Sequence, residues 1–290
     1  MEKTIRSPAK INLFLQIGKK REDGYHEVLS LLEPIDLFDE IRVKVQNPAS
    51  SKNRRLNITW SPPASIENDT VTTTAHYFFQ EAGIKNYDCQ FFIEKNIPYP
   101  AGLGAASSNA ASVLKLLQQL YNNGLTENKV IEILSRVGCD CPFFFYQKRA
   151  LFGGKGERLL KIVRQKPIFY YLLIPGLTKK MSTKEAYAKL SPERTEYTRE
   201  SIIEFFSNLT DSKITSRTLF YNSFLKLYTG EPFPFFSKKL RDLGAEVVNI
   251  CGSGPTIFGL FTDRSKRDLA LQKLKKDIDN LDLLSGESLC

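Results

Sequence analysis

The sequence predicts an α+β fold built as two packed subdomains, and three observations carry that prediction. The chain has 290 residues, the upper edge of what one hydrophobic core serves. Strand patterns fill residues 5–18, 28–35, 39–45 and 56–60, and capped helices follow them. Near residue 160 the composition shifts, which places the domains at 1–160 and 161–290.

The first strand carries Ala9-Lys10-Ile11-Asn12-Leu13-Phe14-Leu15. Side chains two apart share a strand face, so Lys10 and Asn12 point the same way. Taken alone, this segment leans towards a solvent-facing edge. Asp23-Gly24 then marks a tight turn, with Tyr25-His26 just after it. Such a pair suits stacking on a heterocyclic base, and it also suits a plain amphipathic strand start. A polar loop over 47–53 separates two strands, and Asn68-Asp69-Thr70 caps a helix that runs to Gly83.

The central element is a strand over 89–95, a loop, and a helix with Ala110, Val113, Leu114, Leu117, Leu120 and Tyr121 on one stripe. The loop reads Pro98-Tyr99-Pro100-Ala101-Gly102-Leu103-Gly104-Ala105-Ala106-Ser107-Ser108. Its small residues let backbone N–H groups approach a ligand, and the helix N-terminus behind it favours an anion. A polyphosphate fits, and so does an ordinary turn with a serine cap. Walker A is excluded because no Gly-Lys-Ser/Thr closes the loop, and the Rossmann spacing lacks its third glycine. Gly153-Gly154-Lys155-Gly156-Glu157 reads as a turn between strands.

Thr126-Glu127 caps a further helix that ends near Val137-Gly138. Asp140 follows, between the helix end and the aromatic run 143–146, as either a cap residue or a placed base. Pro142 is expected to hold Cys141 away from helical geometry. Later come a strand over 168–174, a short helix with Tyr187, and helices interrupted by Pro232 and Pro234. Strands over 247–251 and 256–261 flank Gly252-Ser253-Gly254-Pro255, a close-approach loop or a simple hairpin.

Composition narrows the partners. Hydrophobic content of 42% argues against extensive disorder. No apolar run is long enough to span a bilayer, and the N-terminus has no signal or transit character, so the cytosol is expected. Five cysteines lack any framework spacing and are expected reduced, and two histidines are too few for a structural zinc site. The net charge of +9 is densest around Arg264-Ser265-Lys266-Arg267. That segment reads as the solvated face of a helix rather than a nucleic-acid contact.

Three ordered motifs then carry a resemblance: Pro8-Ala9-Lys10-Ile11-Asn12-Leu13, the loop from Pro98 to Ser108, and Cys251-Gly252-Ser253-Gly254-Pro255-Thr256. The chain resembles the GHMP kinase superfamily. Asp23-Gly24-Tyr25-His26-Glu27 and Gly138-Cys139-Asp140-Cys141-Pro142-Phe143 make it most similar to the branch acting on a cytidine-diphosphate-linked methylerythritol. The resemblance implies a two-domain GHMP fold, with an N-terminal domain like domain 2 of ribosomal protein S5, an α/β C-terminal domain, and an active site in the cleft between them. It implies ATP as phosphoryl donor, bound by Pro98, Tyr99, Pro100, Ala101, Gly102, Leu103, Gly104, Ala105, Ala106, Ser107 and Ser108. Asp140 matches the catalytic carboxylate and Lys10 its electrostatic partner. Asn12, Tyr25, His26, Tyr187, Gly252, Ser253 and Gly254 match the substrate side. Mg²⁺ is expected on the nucleotide phosphates, with no protein ligand named. Mevalonate, homoserine or sugar kinases are the alternatives within the superfamily, and a non-catalytic nucleotide- or RNA-binding protein is the alternative outside it. The chain departs from the family at Ala105 and Ala106, where glycine is frequent and ordinary backbone angles are required, and at Cys139 and Cys141.

Overall fold

The computed structural model describes residues 1–45, 54–63, 69–163, 168–176, 181–190, 197–209 and 219–289. The expected polar loop over 47–53, Asn68 and Cys290 lie outside the described residues. The chain runs β1 (Glu2–Lys20), β2 (His26–Val45), β3 (Arg54–Ser61), α1 (Thr70–Glu81), β4 (Tyr87–Glu94), α2 (Ala105–Leu120), α3 (Glu127–Val137) and α4 (Cys141–Tyr146). It continues with β5 (Ala150–Gly153), β6 (Arg158–Ile162), β7 (Tyr170–Ile174), α5 (Thr183–Lys189) and α6 (Arg199–Ser207). The last elements are α7 (Phe233–Asp242), β8 (Val247–Ile250), β9 (Ile257–Phe261), α8 (Arg264–Asp277) and β10 (Leu284–Glu287). Strands and helices are both present, and the pairs β2–β4, β2–β5, β5–β6, β7–β9, β7–β10 and β8–β9 are antiparallel, in keeping with an α+β class.

Contacts group the residues into two compact units that interleave in sequence, a different partition from a boundary near residue 160. The first unit holds Met1–Ala9, Leu37–Ile97 and Gly104–Gln147. The second holds Lys10–Asp36, Pro98–Leu103 and Lys148–Cys290.

In the first unit β3 lies parallel to β4, and β4 lies antiparallel to the later part of β2. Tyr87, Cys89, Phe91 and Ile93 alternate inward along β4, the period-2 pattern of a strand with one buried face. Helices α1 to α4 pack on one another. The Asp69 carboxylate caps α1 by accepting the Val71 N–H at 2.9 Å, and the Thr126 hydroxyl caps α3.

In the second unit β5 pairs antiparallel with β2 and with β6. Residues 153–156 form the expected turn, closed by the Gly156 N–H on the Gly153 carbonyl at 3.1 Å. A separate antiparallel sheet has the order β10-β7-β9-β8. Its core is made by Leu172, Ile174, Val248, Ile250, Ile257 and Phe261, with Leu240 of α7 and Leu274 of α8.

Three local expectations need correcting. The two strands expected over 28–35 and 39–45 are one continuous strand, β2. Residues 36–38, left between the two expected strands, continue the strand, and the carboxylates of Asp36 and Asp39 accept backbone N–H groups from other segments. Cys141 is helical, because Pro142 falls in the first turn of α4, where its missing N–H costs no intrahelical bond. For the same reason Pro232 and Pro234 do not interrupt a helix but open α7.

Candidate active site

In the second unit, β1 places Lys10 and Asn12 on one face, and both are buried, each 3% exposed. This overturns the solvent-facing edge that the segment alone suggests. A buried ammonium needs polar partners. Lys10 Nζ donates to Asn12 Oδ1 at 2.7 Å, and the Gly252 N–H donates to the same oxygen at 2.9 Å. Asn12 Nδ2 donates to Ser30 Oγ at 2.9 Å, and that hydroxyl donates to the Phe14 carbonyl at 3.1 Å. The amide therefore has a fixed orientation, oxygen towards Lys10 and Gly252.

The backbone N–H of Lys10 donates to the Leu103 carbonyl at 3.0 Å, tying the glycine-rich loop to β1. Gly102 has φ +80°, and a Cβ there would run into the Cys251 carbonyl oxygen, with the Gly254 carbonyl oxygen 3.1 Å away. Backbone thus lies against backbone, which only glycine permits. The 252–254 turn is held from outside. Asn222 Nδ2 donates to the Ile250 and Gly252 carbonyls at 3.0 and 2.9 Å, and the Tyr228 hydroxyl donates to the Ser253 carbonyl at 2.7 Å. Burial pushes the Cys251 thiol up to about 12, against the opposing pull of the Lys10 charge.

The second unit also gathers aromatics. The His26 and Tyr187 rings lie 5.2 Å apart at a 32° tilt, and Tyr187 stands edge-on to Phe224 at 5.0 Å. Tyr25 is 51% exposed, with the Lys155 ammonium 4.5 Å from its ring centroid. The turn expected at Asp23-Gly24 is braced by the Tyr25 N–H on Asp23 Oδ1 at 3.1 Å.

In the first unit, α2 starts just after Gly104, its N-cap residue, which is left-handed with φ +78° and has no side chain to make a capping bond. Its first N–H groups have no intrahelical partners, so the helix start is open to an anion. Ala105 and Ala106 are helical, so the absence of glycine there costs nothing in backbone strain. Ser108 is buried and its oxygen accepts from Ser7 Oγ at 2.7 Å, while Thr70 Oγ1 donates to the Ala106 carbonyl at 2.8 Å.

Asp140 stands between α3 and α4 with helical angles, and its side chain makes no capping hydrogen bond to α4. Asp140 thus occupies the N-cap position of α4 without a side-chain capping bond. The next residue, Cys141, has its thiol hydrogen-bonded with the Ser107 hydroxyl, and α4 packs on α2. Within this unit the Asp140 turn is therefore joined to the first turn of α2. Burial drives the Cys141 thiol up to about 12, so it serves this contact as a neutral group. Among the described residues no cluster of three His, Cys, Asp or Glu could hold a metal, and no helix is long and apolar enough to cross a membrane.

Residues 69–148 match the GHMP kinases N terminal domain, and residues 236–280 match the GHMP kinases C terminal model. The chain is 33% identical over 272 residues to the 4-diphosphocytidyl-2-C-methyl-D-erythritol kinase of Syntrophotalea carbinolica, with 92% of each chain covered. The chain belongs to the 4-diphosphocytidyl-2-C-methyl-D-erythritol kinase family. A crystal structure of 4-(cytidine 5'-diphospho)-2C-methyl-D-erythritol kinase superposes with a TM-score of 0.77 at 26% identity, covering 99% of both chains. A homoserine kinase from Cytophaga hutchinsonii superposes at 0.71 with 16% identity, covering 99% of this chain and 94% of its own, which shows the shared fold.

For a member of this kinase family, the three motifs were legible one by one, but their supports were not. Ser7, Ser30, Asn222 and Tyr228 all hold motif residues in place. None stands in a local pattern that marks it, because each acts on a segment distant in sequence.

Proposed function

We propose that this chain transfers the γ-phosphoryl group of ATP to the 2-hydroxyl of 4-diphosphocytidyl-2-C-methyl-D-erythritol, a step of the non-mevalonate isoprenoid pathway. The observation that carries the reading is how each unit treats the glycine-rich segment. One unit joins the Asp140 turn to the start of α2 through Ser107 and Cys141, and the other hangs Leu103 from the Lys10 backbone.

The residues suit a nucleotide polyphosphate. Gly102 and Gly104 add no side chain to the loop, and the start of α2 behind a glycine N-cap offers N–H donors and the positive end of its dipole. Phosphoryl transfer needs positioning and charge stabilisation more than covalent chemistry. A bond forms between the alcohol oxygen and the γ-phosphorus as the bond to the β-bridging oxygen breaks. Asp140 takes the hydroxyl proton. Lys10, aimed by Asn12, offsets negative charge on the transferred group. Mg²⁺, when bound, supplies charge neutralisation on the nucleotide phosphates. Tyr25, His26 and Tyr187 hold the cytosine, and Asn12 with Gly252, Ser253 and Gly254 line the substrate side. The partner is thus a small cytidine diphosphate compound rather than a nucleic acid or a membrane, and a cytoplasmic setting supplies both substrates.

The test is an incubation of purified protein with ATP, Mg²⁺ and diphosphocytidyl-methylerythritol, followed by phosphorus NMR. A new phosphomonoester resonance growing in step with ADP supports the reading. ADP release without that resonance, or transfer to mevalonate or homoserine instead, overturns it.

A further inference from the structure

Asp39 is fully buried in β2, and its carboxylate accepts four hydrogen bonds. Oδ1 takes the backbone N–H groups of Asn96 and Ile97, each at 2.8 Å. Oδ2 takes the Lys95 ammonium and Asn109 Nδ2, the latter at 3.0 Å. These donors come from two places. Lys95, Asn96 and Ile97 are the residues through which the chain leaves β4, and Asn109 is in the second turn of α2. The glycine-rich stretch runs between them. One carboxylate, with all its acceptor sites used, fixes both the exit from β4 and the start of α2.

Two further observations show that the arrangement is built for this bond. Asn109 is 1% exposed and among the described residues its Oδ1 accepts no hydrogen bond, so the bond from Nδ2 to Asp39 is the one that holds this amide. The antiparallel register of β2 with β4, which sets Glu40 opposite Glu94, brings Asp39 alongside Lys95 where the pairing ends.

We infer that Asp39 is a positioning residue for nucleotide binding: it sets the separation between the β4 exit and the α2 N-terminus, and so the geometry of the N–H groups that receive the polyphosphate. The inference rests on the kinase reading above and extends it to a residue that touches no substrate. In Asp39→Asn one oxygen becomes a donor, facing either the Lys95 ammonium and the Asn109 amide or the Asn96 and Ile97 N–H groups. Hydrogen bonds to a charged group are lost at one end of the clamp, which predicts a rise of about tenfold or more in KM for ATP. KM for the cytidine substrate is expected to stay unchanged. The exchange Asp39→Asn with Asn109→Asp restores a carboxylate–amide pair across the same gap and is expected to recover much of the ATP affinity.

Steady-state kinetics with each substrate varied, calorimetric titration with ATP, and thermal melts on the full chain test this together. A selective loss of ATP affinity with recovery in the exchange variant supports the inference. A lower melting temperature with both KM values unchanged overturns it, because a purely structural role predicts that pattern. If Asp39→Asn does not fold, Asn109→Ala removes only the helix end of the clamp, and the same split in KM decides. A wild-type protein that neither binds ATP nor turns over fails the kinase reading itself and takes this inference with it.

Discussion

Lys10 shows how a single residue's chemistry is set by its neighbours. Its ammonium is buried and aimed by an Asn12 oxygen that also receives the Gly252 N–H. Removing such a preorganised charge costs about 3–4 kcal/mol at the transition state, or roughly 10²–10³ in rate. Lys10→Ala and Asp140→Asn are each expected to lower kcat by that order while ATP titrations remain close to wild type. Near-normal turnover in Asp140→Asn would remove it from the role of base. Gly102 has a steric role instead. Gly102→Ala forces a left-handed angle worth about 1–2 kcal/mol and drives a Cβ into the Cys251 carbonyl. A lower melting temperature together with weaker ATP binding is expected, and a variant with wild-type values for both would show that this contact can relax.

At the scale of elements, the pairing of β2 with β5 is sealed by a buried ion pair. Arg149, just before β5, meets Glu33 of β2 in a two-pronged contact at 2.5 and 3.0 Å, and both side chains are fully buried. The register that sets Leu32 opposite Ala150 brings them together. Ser288 adds a hydrogen bond to Glu33, and the Leu289 N–H donates to the Pro34 carbonyl, so the C-terminal segment is tied to the same strand. Arg149→Met strands a buried carboxylate and should cost about 3–5 kcal/mol. The pair Glu33→Leu with Arg149→Met should recover most of it, because neither charge is then left alone. Urea denaturation of the two variants checks this, and equal losses in both would count against the ion pair as the cause. The elements themselves were largely readable, since Asp69, Thr126 and the inward alternation of β4 are local signals. The misread segments were those where a tertiary contact reassigns a residue. The stretch 36–38 carries no strand pattern of its own, and it is continuous with β2 where the Asp36 and Asp39 carboxylates accept N–H groups from distant segments.

For the molecule as a whole, buried thiols set an alkaline limit. Burial pushes Cys89 up to about 11 and Cys141 and Cys251 up to about 12, from an ordinary value of 9.0. Below about pH 9 these thiols are protonated both folded and unfolded, so their contribution is intact. Above it the unfolded chain releases protons that the folded one keeps, and stability falls as pH rises through the folded values. Each thiol removes up to about 1.4 kcal/mol per pH unit in that window. Urea melts at pH 8, 9 and 10 should show a progressive loss that is shallower in Cys251→Ala. A pH-independent midpoint across that range would mean the thiols are not shielded as the fold implies.

The sequence by itself determined the class, many of the strands and helices, and the motifs whose residue types suit a polyphosphate, because spacing, caps and small-residue loops are properties of neighbours along the chain. Only the tertiary structure decided that Lys10 and Asn12 are buried rather than edge-facing, that Gly102 lies against the Cys251 carbonyl, and that Asp39 grips two separate segments. Burial and hydrogen-bond satisfaction depend on groups brought together from far apart in the chain, and no local pattern encodes which distant donor a carboxylate will meet.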